Sequence, residues 1–262
     1  MTFETLEMTI ENGVAHIVLN RPDNANSLNL ALAQDYMNAA IECDTNPDVR
    51  AVLLSANGKM FCAGGDLGYM KDQGDRLVPA LKELTAVLHA GIATMARMDA
   101  PLIIAVNGVA AGAGMSMAAT GDLVLVGESS RFTMAYTAAG LAPDGSSSYF
   151  LPRVIGVRRT QELMLTNRMI SAEEALDWGL ITRIVPDEDL LDEAKKLAAM
   201  MAQGPTRAYG QVKHLLLESL TNPLETQMEL ESRAITAMGA SADGQEGIDA
   251  FHNKRKPDFK GL

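Results

Sequence analysis

The sequence predicts an α/β protein, and three observations carry that prediction. Short apolar runs of strand length alternate with helix-spaced segments up to about residue 185, and only helical patterns follow. Two of the runs lead into glycine-rich loops, which places loops and helix starts at one end of a sheet. The composition is ordinary for a globular chain: 262 residues, 47% hydrophobic, 21% charged, without a fixed-period repeat or low-complexity tract.

The elements follow in order. Residues 5–10 and 14–19 form a hairpin about the turn Glu11-Asn12-Gly13. NRPDNANSLN (20–29) is a loop by composition. Leu32, Tyr36, Ala39, Ala40 and Cys43 recur at helical spacing and predict a helix over 29–44. AVLLSA (51–56) is a short buried strand, GKMFCAGGDLG (58–68) a loop, and 79–98 a helix. Pro101 opens the strand LIIAV (102–106), followed by NGVAAGAGMSMAATGD (107–122) and the strand LVLVG (123–127). A turn leads into RFTMAY (131–136), then a loop with Pro143-Asp144-Gly145. Ser171 and Glu174 make a capping box for a helix that Gly179 ends. Asn222-Pro223-Leu224-Glu225 supplies a cap, a proline at the first helical position and an acidic third residue. The division expected is an α/β core over 1–200, holding the site, and a helical region over 201–262.

Composition excludes several functions. With 22 Lys+Arg against 33 Asp+Glu the net charge is −11, which lacks the basic footprint of a nucleic-acid binder. Cys43 and Cys62 cannot build a disulfide framework or zinc ribbon, and histidines at 16, 89, 214 and 252 give no metal-ligand spacing. No basic-then-apolar leader is visible in MTFETLEMTIENG, and no apolar run reaches membrane-span length, so a cytoplasmic protein is expected. The charge is uneven. Lys254, Arg255, Lys256 and Lys260 against Asp258 give the tail 251–262 a local +3, leaving −14 on the other 250 residues. That tail is either a solvated end or half of a site for a small anionic ligand.

Chemistry could reside in few places. The loops Cys62-Ala63-Gly64-Gly65-Asp66 and Gly112-Ala113-Gly114-Met115 serve either close packing or the presentation of backbone N–H groups. Gly112-x-Gly114 lacks the third glycine of a dinucleotide fingerprint, and no Gly-Lys-Ser/Thr follows for a phosphate loop. Two such loops are what an oxyanion hole of two main-chain donors needs. Asp144, between Pro143 and Gly145, reads as a turn former or a working carboxylate. Ser146-Ser147-Ser148 lacks the nucleophile elbow of a serine hydrolase. His89, among Leu84, Val87, Leu88 and Ile92, reads first as a core histidine. The 16 methionines fill core gaps.

Taken together, NRPDNANSLN, FCAGGDL, APLIIAVNGVAAGAG, GDLVLVGESSRF, GLAPDGSS, LPRVIG, SAEEALDWGLI and EGIDAFHNKRKPDF resemble the crotonase (enoyl-CoA hydratase/isomerase) superfamily over nearly the whole chain. The resemblance implies a spiral of ββα units and a helical C-terminal part that forms a homotrimer or a dimer of trimers. It also implies an acyl-CoA thioester substrate and no metal or redox cofactor. By position, the Gly65 and Ala113 N–H groups would hold the thioester oxygen as enolate charge develops. A donor of this kind contributes about 2.7–4 kcal/mol to lowering a barrier. Ala63, Gly64, Gly65 and Asp66 would face CoA, and Lys254, Lys256 and Lys260 would approach its nucleotide, in some relatives from a neighbouring subunit.

Departures from the family pattern bear on the reaction. Hydratases carry glutamates at the positions of Ser116 and Tyr136, and hydration needs such a pair to activate water and deliver a proton. Asp144 stands instead where the resemblance places the aspartate of two subgroups. Isomerases, including ring-epoxide (1,2-epoxyphenylacetyl-CoA) isomerases, shift a double bond with one carboxylate. The 4-chlorobenzoyl-CoA dehalogenases use the aspartate as nucleophile and a histidine, here His89, to activate water. Their aromatic box of two tryptophans and a phenylalanine corresponds to Leu88, Tyr136 and Gly65 here. An isomerase is the expectation, Asp144 shuttling a proton beside an apolar wall of Tyr136, Leu141 and Phe150. A dehalogenase, a hydratase or a non-catalytic acyl-CoA binder are the alternatives.

Overall fold

The computed structural model describes residues 2–262. The strands are β1 (Leu6–Glu11), β2 (Val14–Leu19), β3 (Ala51–Ala56), β4 (Leu102–Val106), β5 (Val109–Ala111), β6 (Leu123–Gly127), β7 (Arg131–Thr133), β8 (Ile170–Ser171) and β9 (Arg183–Val185). The helices are α1 (Leu30–Thr45), α2 (Leu67–Asp72), α3 (Leu77–Arg97), α4 (Ala113–Ala118), α5 (Ser147–Val154) and α6 (Gly156–Thr166). They continue with α7 (Ala172–Asp177), α8 (Leu190–Ala202), α9 (Thr206–Ser219), α10 (Leu224–Gly239) and α11 (Ala242–His252).

A six-stranded sheet runs β1-β2-β3-β4-β6-β9, antiparallel between β1 and β2 and parallel beyond. A smaller sheet, β5-β7-β8, lies beside it. Its row is extended by parallel bridges from Ala110 to Cys62 and from Gly65 to Leu28. The segments that follow β2, β3, β4 and β6 thus each contribute to the small layer: residue 28, residues 62–65, β5 and β7 in turn. This is the spiral of ββα units expected. It also stacks the loop after β3 directly against the loop after β4.

The central strands β3, β4 and β6 are covered on both faces and run almost continuously apolar, whereas the edge strand β1 alternates with exposed Glu7, Thr9 and Glu11. Side chains alternate between two cores with the period of two that a strand imposes. Val52, Leu54, Leu102, Ile104, Val106, Val124 and Val126 join α1, α3 and the small layer in the main core. Leu53, Ile103, Ala105 and Leu125 face α8 through Ala194 and Ala198. In α1 all five residues at the expected helical spacing are buried, and the Asn29 side chain caps the helix through the Leu32 N–H.

Several boundaries moved. RFTMAY remains a strand only through Thr133, because Ala135 turns left-handed at φ +53°. The helix expected over 79–98 begins at Leu77, and the end of the expected loop 58–68 winds into α2. α10 begins at Leu224, with Pro223 in the cap position and no side-chain cap. Asn222 turns its amide to Gln227 Oε1 instead. At α7, Ser171 accepts from the Glu174 N–H as expected, but the Glu174 carboxylate pairs with Arg168 and does not close the box.

Candidate active site

The site begins with the two stacked loops. Gly64 sits at φ +93°, and a Cβ there would come 2.9 Å from Ala111 O. A Cβ on Gly114 would come 2.3 Å from Cys62 O. Both glycines are therefore demanded by the close approach of one backbone to the other. The contact leaves a defined pair of donors. Gly64 N–H donates to Cys62 Sγ, Asp66 N–H to Leu28 O and Gly112 N–H to Thr133 O. Between them, the Gly65 and Ala113 N–H groups donate to no acceptor among the described residues. Both residues line one cavity of about 330 Å³. An oxygen bearing developing charge would find two main-chain donors there, as an oxyanion hole requires.

Apolar side chains of Leu28, Leu67, Met70, Leu84, Leu88 and Leu141 wall this cavity, and Asp144 supplies its one carboxylate. Asp144 precedes two consecutive left-handed residues, Gly145 at φ +60° and Ser146 at φ +70°, a backbone state that costs energy and marks functional turns. The residue before the turn and the carboxylate on the cavity are thus the same. Its Oδ1 accepts from Tyr136 OH at 2.8 Å, and its Oδ2 lies 3.2 Å from His89 Nε2. Tyr136 is aimed here by the left-handed turn at Ala135. Burial, and then the charge of Asp144, push its phenol far above the ordinary range, so it stays a donor. Ser116 Oγ stands 3.2 Å from the Tyr136 oxygen. A serine and a tyrosine thus form a neutral ladder behind the aspartate.

His89 is not the core residue its apolar neighbours suggested. Leu84, Leu88 and Ile92 are buried, whereas the His89 side chain is 47% exposed and lies beside their stripe. Its Nε2 also accepts the Gly145 N–H at 3.2 Å, a donor without any signal in residue type or spacing. Phe150 does not join the wall of Asp144. It lines two other cavities, one of about 540 Å³ between α5 and α9 and one of about 310 Å³ that includes His89. Of the serine run, Ser146 precedes α5 and Ser147 Oγ donates to Asp144 O, so both serve the turn.

The residues expected around CoA divide. Ala63, Gly64 and Gly65 line the cavity. Asp66 is occupied structurally: Oδ1 caps α2 through the Tyr69 N–H, and Oδ2 pairs with Arg21 at 3.1 Å. Burial pushes its carboxyl up, yet the Tyr69 N–H and Arg21 together hold it below its ordinary value. The tail is not brought to these loops within one chain. Gly261 packs on Arg50 and Thr206, at the strand end opposite the loops, roughly 20 Å away along a six-residue strand. Arg255 pairs with Glu246 and Asp249 from outside the tail, which balances part of its +3, and Lys260 pairs with Asp258 within it.

The fold and the site define an α/β protein with two open main-chain donors and one carboxylate on a single apolar cavity. The sequence profile described as Enoyl-CoA hydratase/isomerase matches residues 9–262. The chain is 38% identical over 253 residues to the 1,2-epoxyphenylacetyl-CoA isomerase of Escherichia coli (strain K12), covering 96% of this chain and 97% of that one. It is 38% identical over 261 residues to a protein described as a probable enoyl-CoA hydratase of Rhodobacter capsulatus, covering all of both. The crystal structure of an enoyl-CoA hydratase from Polaromonas sp. JS666 superposes with a TM-score of 0.92 at 30% identity, covering 97% of this chain and 99% of that one. The chain belongs to the enoyl-CoA hydratase/isomerase family. Among the described residues no helix is long and apolar enough to cross a membrane.

Proposed function

We propose that this enzyme is an acyl-CoA isomerase that moves a double bond, or opens a ring epoxide, through a thioester enolate. The observation that carries the reading is the arrangement around Asp144. It is the one carboxylate on the cavity that holds the Gly65 and Ala113 donors, and neutral groups occupy positions 116 and 136. Asp144 removes a proton from the carbon next to the thioester. The C–H electron pair passes into the enolate, whose oxygen is held by the two N–H groups. For a 3-enoyl substrate the same carboxyl returns the proton at the γ carbon and the charge withdraws. One base suffices because the proton is moved, not consumed. Incubation with a 3-enoyl-CoA in heavy water should give isomerised product with deuterium at α and γ carbons, and Asp144→Asn should abolish both. Undiminished exchange in that variant would sink the reading.

A second reading rests on His89, 3.2 Å from Asp144 Oδ2: attack of the aspartate on an aryl carbon, with water activated by the histidine. The aromatic grip is absent, since Leu88, Gly65 and Tyr136 line the cavity where a planar ring would need it. Halide release from 4-chlorobenzoyl-CoA at saturating enzyme supports this reading, and its absence dismisses it. The exposed apolar faces of α9 and α10 support a homotrimer or dimer of trimers. In such an assembly the tail lysines Lys254, Lys256 and Lys260 of one chain would serve the CoA site of the next.

A further inference from the structure

His89 stands between two cavities. Its Nε2 reaches Asp144 on the rim of the reaction cavity, while its ring lines the separate cavity of about 310 Å³ with Ser146, Arg97 and Glu218. Among the apolar Ile92, Phe150 and Leu217 of that second cavity, Arg97, Ser146 and Glu218 offer water several polar partners, whereas the reaction cavity has Asp144 as its one charged group. The two oxygens of Asp144 are not equivalent. Oδ1 is engaged by the Tyr136 hydroxyl, so Oδ2 is the oxygen free to take a substrate proton, and Oδ2 is the one that His89 addresses.

The contacts at Nε2 describe two states of one proton. While Gly145 N–H donates to Nε2, that nitrogen presents its lone pair, the ring proton sits on Nδ1, and the hydrogen toward Asp144 belongs to a protonated carboxyl. When the carboxyl is ionised, Nε2 carries the hydrogen and donates it to Oδ2. Passage between these states breaks an O–H bond and forms an N–H bond. The ring becomes an imidazolium that holds the carboxyl's former proton on Nε2.

We propose that His89 is the carrier that exchanges the proton on Asp144 with solvent, by turning its ring from Asp144 into the second cavity. The turn is required by proton accounting. A proton received on Nε2 would return unchanged to Oδ2 unless Nε2 itself met water. A side chain 47% exposed, tethered at Nε2 by Gly145 N–H and Asp144, has the freedom to make it. The carried proton decides whether the hydrogen delivered to the γ carbon is the one removed from the α carbon or one drawn from water. His89 acts through Asp144 and is a relay, not a catalytic residue.

This inference rests on the isomerase reading, and the test separates the two. The probe is cis-3-hexenoyl-CoA in heavy water, with γ-deuterium in the product measured at low conversion by mass spectrometry. His89→Gln should lower the deuterium fraction by about tenfold, with a matching rise in intramolecular transfer, and a smaller loss in kcat. Ala93→Phe, which fills the second cavity without touching Asp144, should move the partition the same way. An unchanged partition in both variants, with isomerisation persisting, overturns the relay and leaves the reading intact. If wild type neither isomerises the probe nor exchanges its α-protons, the isomerase reading fails and the relay falls with it.

Discussion

Tyr136 is the residue whose role depends most on the structure. In sequence it marks the loss of a hydratase glutamate. In space it orients the carboxylate that remains, at 2.8 Å from Asp144 Oδ1. Tyr136→Phe keeps the shape of the wall and removes only that donor, so Asp144 loses its fixed orientation. We expect kcat for the isomerised thioester to fall by about one to two orders of magnitude with little change in KM, read by steady-state kinetics. An equal loss in the reciprocal of KM with kcat unchanged would assign the residue to binding. Residue type leaves Asp144 and the glycine loops with two readings each, and the family resemblance chooses between them. Leu141 lines the cavity as expected, joined by Leu88, which the sequence marks only as a neighbour of His89 and a counterpart of the aromatic box. Phe150 was misplaced because α5 follows a left-handed turn at Gly145 and Ser146, and composition gives no direction to the helix that leaves such a turn. The exposure of His89 was equally hidden, since helical spacing names a stripe but not its edge.

Elements with strong local signals matched closely: α1 with its Asn29 cap, α7 with Ser171, and the strands β2, β3, β4 and β6. The weak ones were α5 and α6, which carry no side-chain cap. What holds such elements is tertiary. Lys213 on α9 is buried, pairs with Asp122 at 2.9 Å and donates to Met95 O and Ala100 O, joining α9 to the end of α3 and the start of β4. Lys213→Met strands two carbonyls and one carboxylate, and should cost about 3 kcal/mol in chemical denaturation, since Asp122 keeps some solvent. A second element-scale device fastens the tail to α11. Buried Asp243 accepts from the Lys260 and Gly261 N–H groups, while Glu246 binds Arg255 and the Asp258 N–H. Arg255, then the Asp258 N–H, holds the Glu246 carboxyl down at about 2 against an ordinary 4.5. A lowered folded-state value means the contribution is fully present above pH 4.5 and is lost as pH falls through about 2. Limited proteolysis by pepsin should therefore release the tail increasingly across that window, and Glu246→Gln should release it at any pH.

Over the whole molecule, the alternation of strands and helices was legible in the periodicity, whereas the spiral itself was implied by the family resemblance. Its second layer was not legible, since several rungs are single bridges such as Cys62 to Ala110. Assembly belongs to this scale too. Val212, Leu216, Leu220, Leu224, Met228 and Ile235 on α9, α10 and their connection are more than half exposed, a larger apolar surface than a lone chain comfortably presents to water. We expect sedimentation equilibrium to give a trimer or hexamer. Leu216→Asp with Leu220→Asp should shift it to monomer and raise KM for CoA thioesters if the neighbour's tail completes the nucleotide site. A monomeric wild type would confine each site to its own chain.

The contact of Gly64 and Gly114 with the opposing backbone bears finally on how tolerance to mutation is distributed. In the proposed reading the carbonyl is held by main-chain N–H groups at 65 and 113, to which no side chain contributes. The proton is handled there by the side chains of Asp144, Tyr136, Ser116 and His89. A comprehensive substitution scan should therefore separate into two populations. At 64 and 114 every replacement loses folded protein, whereas at 144, 136 and 89 folded protein persists and turnover changes. On that reading, a change of reaction can leave the carbonyl grip intact, because the two are encoded in different parts of the chain's chemistry.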